Sequence, residues 1–218
     1  MNNEFSKRLW SSIILIPFLF TVIFVGSYLF IIFMVICLII TLYEWHMMSK
    51  NKSYNILGHL FLLFSFYSIY FVRNELDDQS LFVFLFIILI CISTDIGGYL
   101  FGKIFKGPKL TKISPKKTYT GVIGAFLLSI ITIYSLNSFN SYFKSNLEIF
   151  ELNYFIFTLI ISTVSQIGDI IVSYFKRLSK IKDTGNLIPG HGGILDRIDG
   201  MIFAYPFFYI LYLFFNFL

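Results

Sequence analysis

The chain has 218 residues, enough for one domain, of which 57% are hydrophobic and only 13% charged. Soluble domains average about 25% charged residues, so a soluble globular protein is excluded and an integral membrane protein is expected. The net charge of +5 is a matter of membrane topology, as the loops below show, and not a nucleic-acid signal.

A bilayer core of about 30 Å takes roughly 20 apolar residues per helix. Seven runs reach that length or approach it: Leu9–Val25, Tyr28–Tyr43, Ile56–Val72, Leu81–Leu100, Tyr119–Leu136, Tyr154–Phe175 and Met201–Leu218. The expected fold is therefore all-α and polytopic, with about seven transmembrane helices in one membrane domain over residues 1–218. Residues 1–80 read as N-terminal hydrophobic helices and 81–218 as the catalytic helices with their loops. The first run follows M-N-N-E-F-S-K-R and lacks a small-residue cleavage site, so it reads as a retained helix. Gly26-Ser27 alone separates the first two runs, which predicts a tight helical hairpin. Pro17 and Pro206 fall inside predicted helices and should kink them. Cys37 and Cys91 lie in apolar runs and suggest neither a disulfide nor a metal site.

Lysine and arginine set the orientation. With seven spans, one side carries the N-terminus and the loops near residues 44–55, 101–118 and 176–200, and with them 15 of the 17 basic residues. Only Arg73 and Lys144 fall on the other side. This places the N-terminus and those loops in the cytoplasm.

Glu75, Asp77, Asp78, Glu148 and Glu151 read as solvated loop charge. Asp95 and Asp169 differ, because each lies near the end of an apolar helix, where an ionisable residue is costly and functional by default. Ser165, Asp169, Ser173 and Lys176 recur at helical spacing and form one polar face. Asp196 and Asp199, if helical, share a face as well. A lone aspartate there reads as a helix cap paired with Arg197. The pair beside a glycine-rich turn favours Mg²⁺, which takes one or two carboxylates plus phosphate oxygens. The turn Pro189-Gly190-His191-Gly192-Gly193 lets backbone N–H groups face a phosphate. His191 is a candidate phosphate donor or proton-transfer group. The loop from Gly102 to Lys117 carries six lysines, which read first as a patch for anionic lipid. Within it, Ser114-Pro115-Lys116-Lys117-Thr118 stands at a helix N-terminus, a favourable place for phosphate. Mg²⁺-type carboxylates, phosphate-binding cations and a glycine turn at one membrane face suit phosphoryl or nucleotidyl transfer. No P-loop, G-x-S-x-G elbow or H-E-x-x-H motif is present.

The stretch S-x2-K-R-x4-K-D-x5-P-G-H-G-G-x2-D-R-x-D, from Ser173 to Asp199, resembles the phosphatidate cytidylyltransferase (CDP-diacylglycerol synthase) family. Asp95-Ile96-Gly97-Gly98-Tyr99 and Ser114–Thr118 with Gly121 are similar to it too. Thr120, Val172 and Gly200 stand where the family more often has Glu, an acidic residue and Ser. The resemblance implies that CTP and phosphatidate give CDP-diacylglycerol and pyrophosphate for phospholipid synthesis, at the cytoplasmic face of the inner membrane. It implies Mg²⁺, with room for a second cation, held by Asp169 and Asp196. Catalytic roles go to Asp169, Lys176, Asp196 and Asp199. Substrate contacts go to Asp95, Ser114, Lys116, Lys117, Thr118, Ser173, Arg177, Lys182, Asp183, Gly190, His191, Gly192, Gly193 and Arg197. The partners implied are CTP, phosphatidate, the bilayer and a second copy in a homodimer, with no nucleic acid. A CTP-dependent polyprenol or dolichol kinase is the nearest enzyme alternative, and an anionic-solute transporter the alternative of another class.

Overall fold

The computed structural model describes residues 13, 17–76, 80–111, 114, 116–137, 152–187 and 192–215. Its elements are a helix over 17–25 (α1), then α2 (Ser27–Ser49), α3 (Asn55–Asn74), α4 (Ser80–Phe105), α5 (Tyr119–Asn137), α6 (Leu152–Leu178), α7 (Leu195–Ile198) and α8 (Met201–Phe215). No strand occurs among the described residues. Helices α2 to α6 are each long and apolar enough to cross a membrane, and Met201–Phe214 is a shorter apolar helix. The chain is an all-α, multi-pass membrane protein.

The exposed faces agree. On α2, Ile32, Ile36, Ile39 and Tyr43 are exposed at helical spacing, while Thr41, Glu44, Trp45 and Met48 are buried on the other side. An apolar stripe of this kind suits lipid and not water. At 1.5 Å per residue, the 27-residue α6 is about 40 Å long. It exceeds the hydrocarbon core by about 10 Å, so one end must project into the polar interface.

The chain divides into two compact units. The first holds residues up to Tyr70 together with Phe175–Ile198. Here Gly26, at φ 61°, breaks α1 from α2 in a conformation that glycine alone takes readily, and Phe18 meets Phe33 edge-on at 5.8 Å. The hairpin expected at Gly26-Ser27 is present. Trp45 is the hub of the α2–α3 contact. Its Nε1 donates to the Asn55 carbonyl at 3.0 Å, and a Cβ at Gly58 would run into its ring. Phe175, near the end of α6, meets the rings of Trp45 and Tyr54 at 5.2 and 4.8 Å. Ser179 Oγ then donates to the Met48 carbonyl at 2.6 Å. These contacts fix the α6 terminus against the last turns of α2.

The second unit holds Phe71–Tyr174 and the segment from Asp199 onward. Its core helix is α4, apolar on most sides and buried along Phe82, Phe86, Ile87, Ile90 and Cys91. Thr94 donates to Ser162 of α6 at 2.7 Å, and Tyr205 of α8 donates to the Phe84 carbonyl at 2.9 Å. The α4–α5 contact is made backbone to backbone. A Cβ on Gly97 would lie 2.9 Å from the Gly124 carbonyl carbon, and one on Gly121 2.7 Å from the Gly98 oxygen. Small residues give transmembrane helices this close approach. The Asp95–Tyr99 stretch therefore holds two packing glycines beside Asp95. Gly97→Ala should push the helices apart and cost about 1–3 kcal/mol, the usual cost of overpacking. A lowered thermal midpoint of the detergent-purified protein, at unchanged helical content, is the expected reading.

Candidate active site

In the second unit, residues 108–110 and 117–119 run back alongside each other. Leu110 N–H donates to the Lys117 carbonyl at 2.8 Å, Lys117 N–H to Ser114 at 3.0 Å, and Tyr119 N–H to Pro108 at 3.1 Å. Thr118 then caps α5, its Oγ1 accepting the Gly121 N–H at 3.1 Å. Thr120 accepts the Gly107 N–H at 3.3 Å. The turn and cap deliver Lys117 to α6. Its ammonium pairs with Asp169 Oδ2 at 2.5 Å and donates to the Gln166 carbonyl at 3.2 Å. Ser173, one turn on, donates to Asp169 Oδ1 at 3.2 Å. About a quarter of each charged side chain stays open, 23% for Lys117 and 27% for Asp169. Asp199 is buried in the turn between α7 and α8, its Oδ1 accepting the Gly200 N–H at 3.0 Å. Gly200 packs on Ser165 so closely that a Cβ would strike the Ser165 hydroxyl.

The first unit holds the other group. Lys176, near the end of α6, pairs with Asp196 Oδ1 of α7 at 2.9 Å. Asp196 Oδ2 accepts the N–H groups of Thr184 at 2.8 Å and Gly193 at 3.0 Å. The pair is closed off, with side-chain exposures of 10% and 4%. Gly192, at φ 84°, faces the same carboxylate, and a Cβ there would lie 2.8 Å from Oδ2. Burial disfavours the Asp196 charge, but the Lys176 bond and the two backbone N–H groups outweigh it and hold the carboxyl below its usual range. Arg177, in the last turn of α6, donates to the Ile181 carbonyl just beyond the helix at 2.9 Å.

Of the predicted residues, Lys117, Asp169 and Ser173 come together, and so do Lys176, Asp196, Gly192 and Gly193. Asp169, Ser173 and Lys176 follow one another along one face of α6, as the spacing predicts. Asp196 and Asp199 do not share a helix, because α7 ends at Ile198. Asp95, Lys116, Lys182, Asp183 and Arg197 are exposed, and Ser114 is half-buried. Gly190 and His191 lie outside the described residues, as do Pro115 and Pro189. Two residues that the sequence reading passes over stand out. Thr184 donates its hydroxyl to Glu44 at 3.0 Å while its N–H serves Asp196, and Glu44 is a buried carboxylate on α2. The available signal was Glu44's position at the end of an apolar run, the same signal that marks Asp95 and Asp169.

The family model described as the cytidylyltransferase family matches residues 6–77 and 59–215. The chain belongs to the cytidylyltransferase family. A Rickettsia typhi protein named phosphatidate cytidylyltransferase is 35% identical over 212 residues, covering 93% of this chain and 89% of its own length. A protein of the same name from Rickettsia prowazekii is 34% identical over 214 residues, with 94% and 90% covered. One from Bacillus subtilis is 37% identical over 146 residues, with 65% and 52% covered. Of the two lysine–aspartate pairs, Lys117–Asp169 is partly open to solvent and Lys176–Asp196 is closed off.

Proposed function

We propose that this chain transfers the cytidylyl group of CTP to phosphatidate. A phosphate oxygen of phosphatidate attacks the α-phosphorus of CTP. The new P–O–P bond makes CDP-diacylglycerol, the bond between the α- and β-phosphates breaks, and pyrophosphate leaves. The attacking phosphate is already anionic, so no strong general base is needed. What the reaction needs is charge neutralisation and orientation. The observation that carries this reading is the pairing of two lysines, Lys117 and Lys176, with two aspartates, Asp169 and Asp196, in a membrane protein of the cytidylyltransferase family.

In this reading the partly open Lys117 meets phosphate oxygens, with Asp169 holding its ammonium group in place, and Lys176, closed off with Asp196, contributes its positive charge. Asp169 fits a hard cation. Its two contacts are spread over two oxygens, and its partial exposure leaves acceptor sites open. Asp196 fits less freely, since three donors already reach it and the remaining open lone pair is on Oδ1 beside Lys176. No group of three or more His, Cys, Asp or Glu side chains gathers among the described residues. Mg²⁺ accepts few protein ligands and completes its shell with water and phosphate, so one or two carboxylates would be enough to hold it. We therefore place Mg²⁺ on Asp169 first and keep Asp196 Oδ1 as a candidate ligand. When bound, the ion supplies neutralisation of triphosphate charge. Phosphatidate is supplied by the bilayer and CTP by the cytosol, with the lysine-rich loops on the cytoplasmic side of the inner membrane. A homodimer belongs to the reading on the resemblance alone.

The test is product analysis. Purified protein with Mg²⁺, labelled CTP and phosphatidate should yield CDP-diacylglycerol and pyrophosphate, and no pyrophosphate without the lipid. Release of CDP in place of pyrophosphate would overturn the reading in favour of a CTP-dependent lipid kinase.

A further inference from the structure

Glu44 lies in the last two turns of α2 and is 4% exposed. Its Oε1 accepts the Ile194 N–H at 3.0 Å. Its Oε2 accepts the Leu195 N–H at 2.8 Å and the Thr184 hydroxyl at 3.0 Å. All three contacts are donated to it, as an acceptor-only carboxylate requires. The loop backbone wraps it closely. A Cβ on Gly185 would lie 2.7 Å from Oε1, and one on Gly193 2.5 Å from either oxygen. Among the described residues no cation pairs with it, in contrast to Asp169 and Asp196.

Burying a carboxylate without a cation is expensive, and only a full set of donors makes it tolerable. Packing alone does not call for a charge at this point. The donors themselves show what the charge does. Ile194 and Leu195 open α7, whose first N–H groups have no partner within so short a helix. Thr184 joins the two carboxylates, giving its hydroxyl to Glu44 and its N–H to Asp196. Glu44 thus fixes both strands of the loop that meets Asp196, and Asp196 in turn holds the Lys176 ammonium.

We infer that Glu44 is a positioning residue for cytidylyl transfer. From a membrane helix it templates the loop segments around Thr184 and Ile194–Leu195, so that Asp196 and Lys176 are presented in one geometry. It acts through Thr184 and the α7 backbone and is not assigned any contact with substrate. This inference rests on the functional reading of the Lys176–Asp196 pair.

The test compares the wild-type chain with Glu44→Gln, Glu44→Asp and Thr184→Val in detergent micelles containing phosphatidate. The amide of Glu44→Gln turns donors toward one of the backbone N–H groups. A displacement of about 1 Å can cost on the order of 100-fold in rate, so kcat/KM for CTP should fall by about that factor, with the KM for phosphatidate unchanged. Glu44→Asp keeps both oxygens but withdraws them by about one methylene, so it should recover only part of the loss. Thr184→Val should give a smaller loss, and the double variant Glu44→Gln/Thr184→Val should be no worse than Glu44→Gln alone, as residues acting through one link require. Hydrogen exchange supplies a readout independent of catalysis. The Ile194 and Leu195 amides should exchange at least about 10-fold faster in Glu44→Gln, with α4 and α5 unaffected. Unchanged exchange at those amides, or additive losses in the double variant, overturns the inference. A wild-type chain that makes no CDP-diacylglycerol, while Glu44→Gln still loosens those amides, overturns the functional reading and leaves Glu44 as the loop's anchor.

Discussion

Replacing Asp169 by Asn should lower CDP-diacylglycerol formation by about 10²–10³-fold, the usual cost of removing one preorganised electrostatic group from a reacting centre. The amide has the shape of the carboxylate and can still accept from Ser173, so the helix face keeps its form. What disappears is the charge that faces Lys117 at 2.5 Å. Lys117 is 23% exposed and can be hydrated when its partner goes, so the stability change should stay within about 1 kcal/mol, as for other solvent-accessible ion pairs. Activity and stability therefore separate. Steady-state turnover should collapse while the thermal midpoint and membrane insertion hold. Lys117→Met should lose activity comparably, since it removes the other half of the pair. Wild-type turnover in either variant removes this pair from the chemistry.

The reasons Asp169 is legible in the sequence are physical. A carboxylate inside an apolar run is costly enough to mark itself, and helix length is dictated by the bilayer, so α2 to α6 can be read directly from composition. The polar face of α6 follows from spacing, and the Ser173–Asp169 bond bears it out. Pairings across the sequence are another matter. Lys117 and Asp169 can each be named as candidates, but their contact depends on the pairing of residues 108–110 with 117–119 and on the glycine contact between α4 and α5. Glu44 is the clearest case. Its place at the end of an apolar run marks it as it marks Asp169, but its partners lie 140 to 151 residues away, and nothing in T-L-Y-E-W-H-M tells which groups it holds. Thr184 is missed for the same reason, since its value comes from touching two carboxylates at once. Gly97 shows the converse. It belongs to the motif that carries the family resemblance, yet its contact with Gly124 is one of packing.

Breaking the Lys176–Asp196 pair should have the largest effect on the protein as a whole. Both side chains are nearly closed off from solvent, at 10% and 4% exposure. Removing one member of a buried pair strands the other charge and typically costs about 3–5 kcal/mol. Lys176→Met leaves Asp196 with its two backbone donors and no cation. Asp196→Asn can still accept from Thr184 and Gly193, but it turns its amide toward the Lys176 ammonium. Each single variant should lower the thermal midpoint sharply and abolish turnover. The double variant Lys176→Met/Asp196→Asn strands no charge, so it should regain part of the stability, with a coupling of about 0.5–3 kcal/mol, and none of the activity. Strictly additive stability losses would falsify the pairing. Acid adds an independent check. Because the folded carboxyl of Asp196 is held below its usual range, the native chain binds this proton less readily than the unfolded chain does. The resulting stability is complete above the unfolded carboxylate value of about 3.9 and is lost as pH falls through the lower folded value. Thermal midpoints measured on descending pH should show that loss in the wild-type chain. In Asp196→Asn the contribution is already absent at neutral pH, so the gap between the two proteins should narrow as the medium becomes acidic.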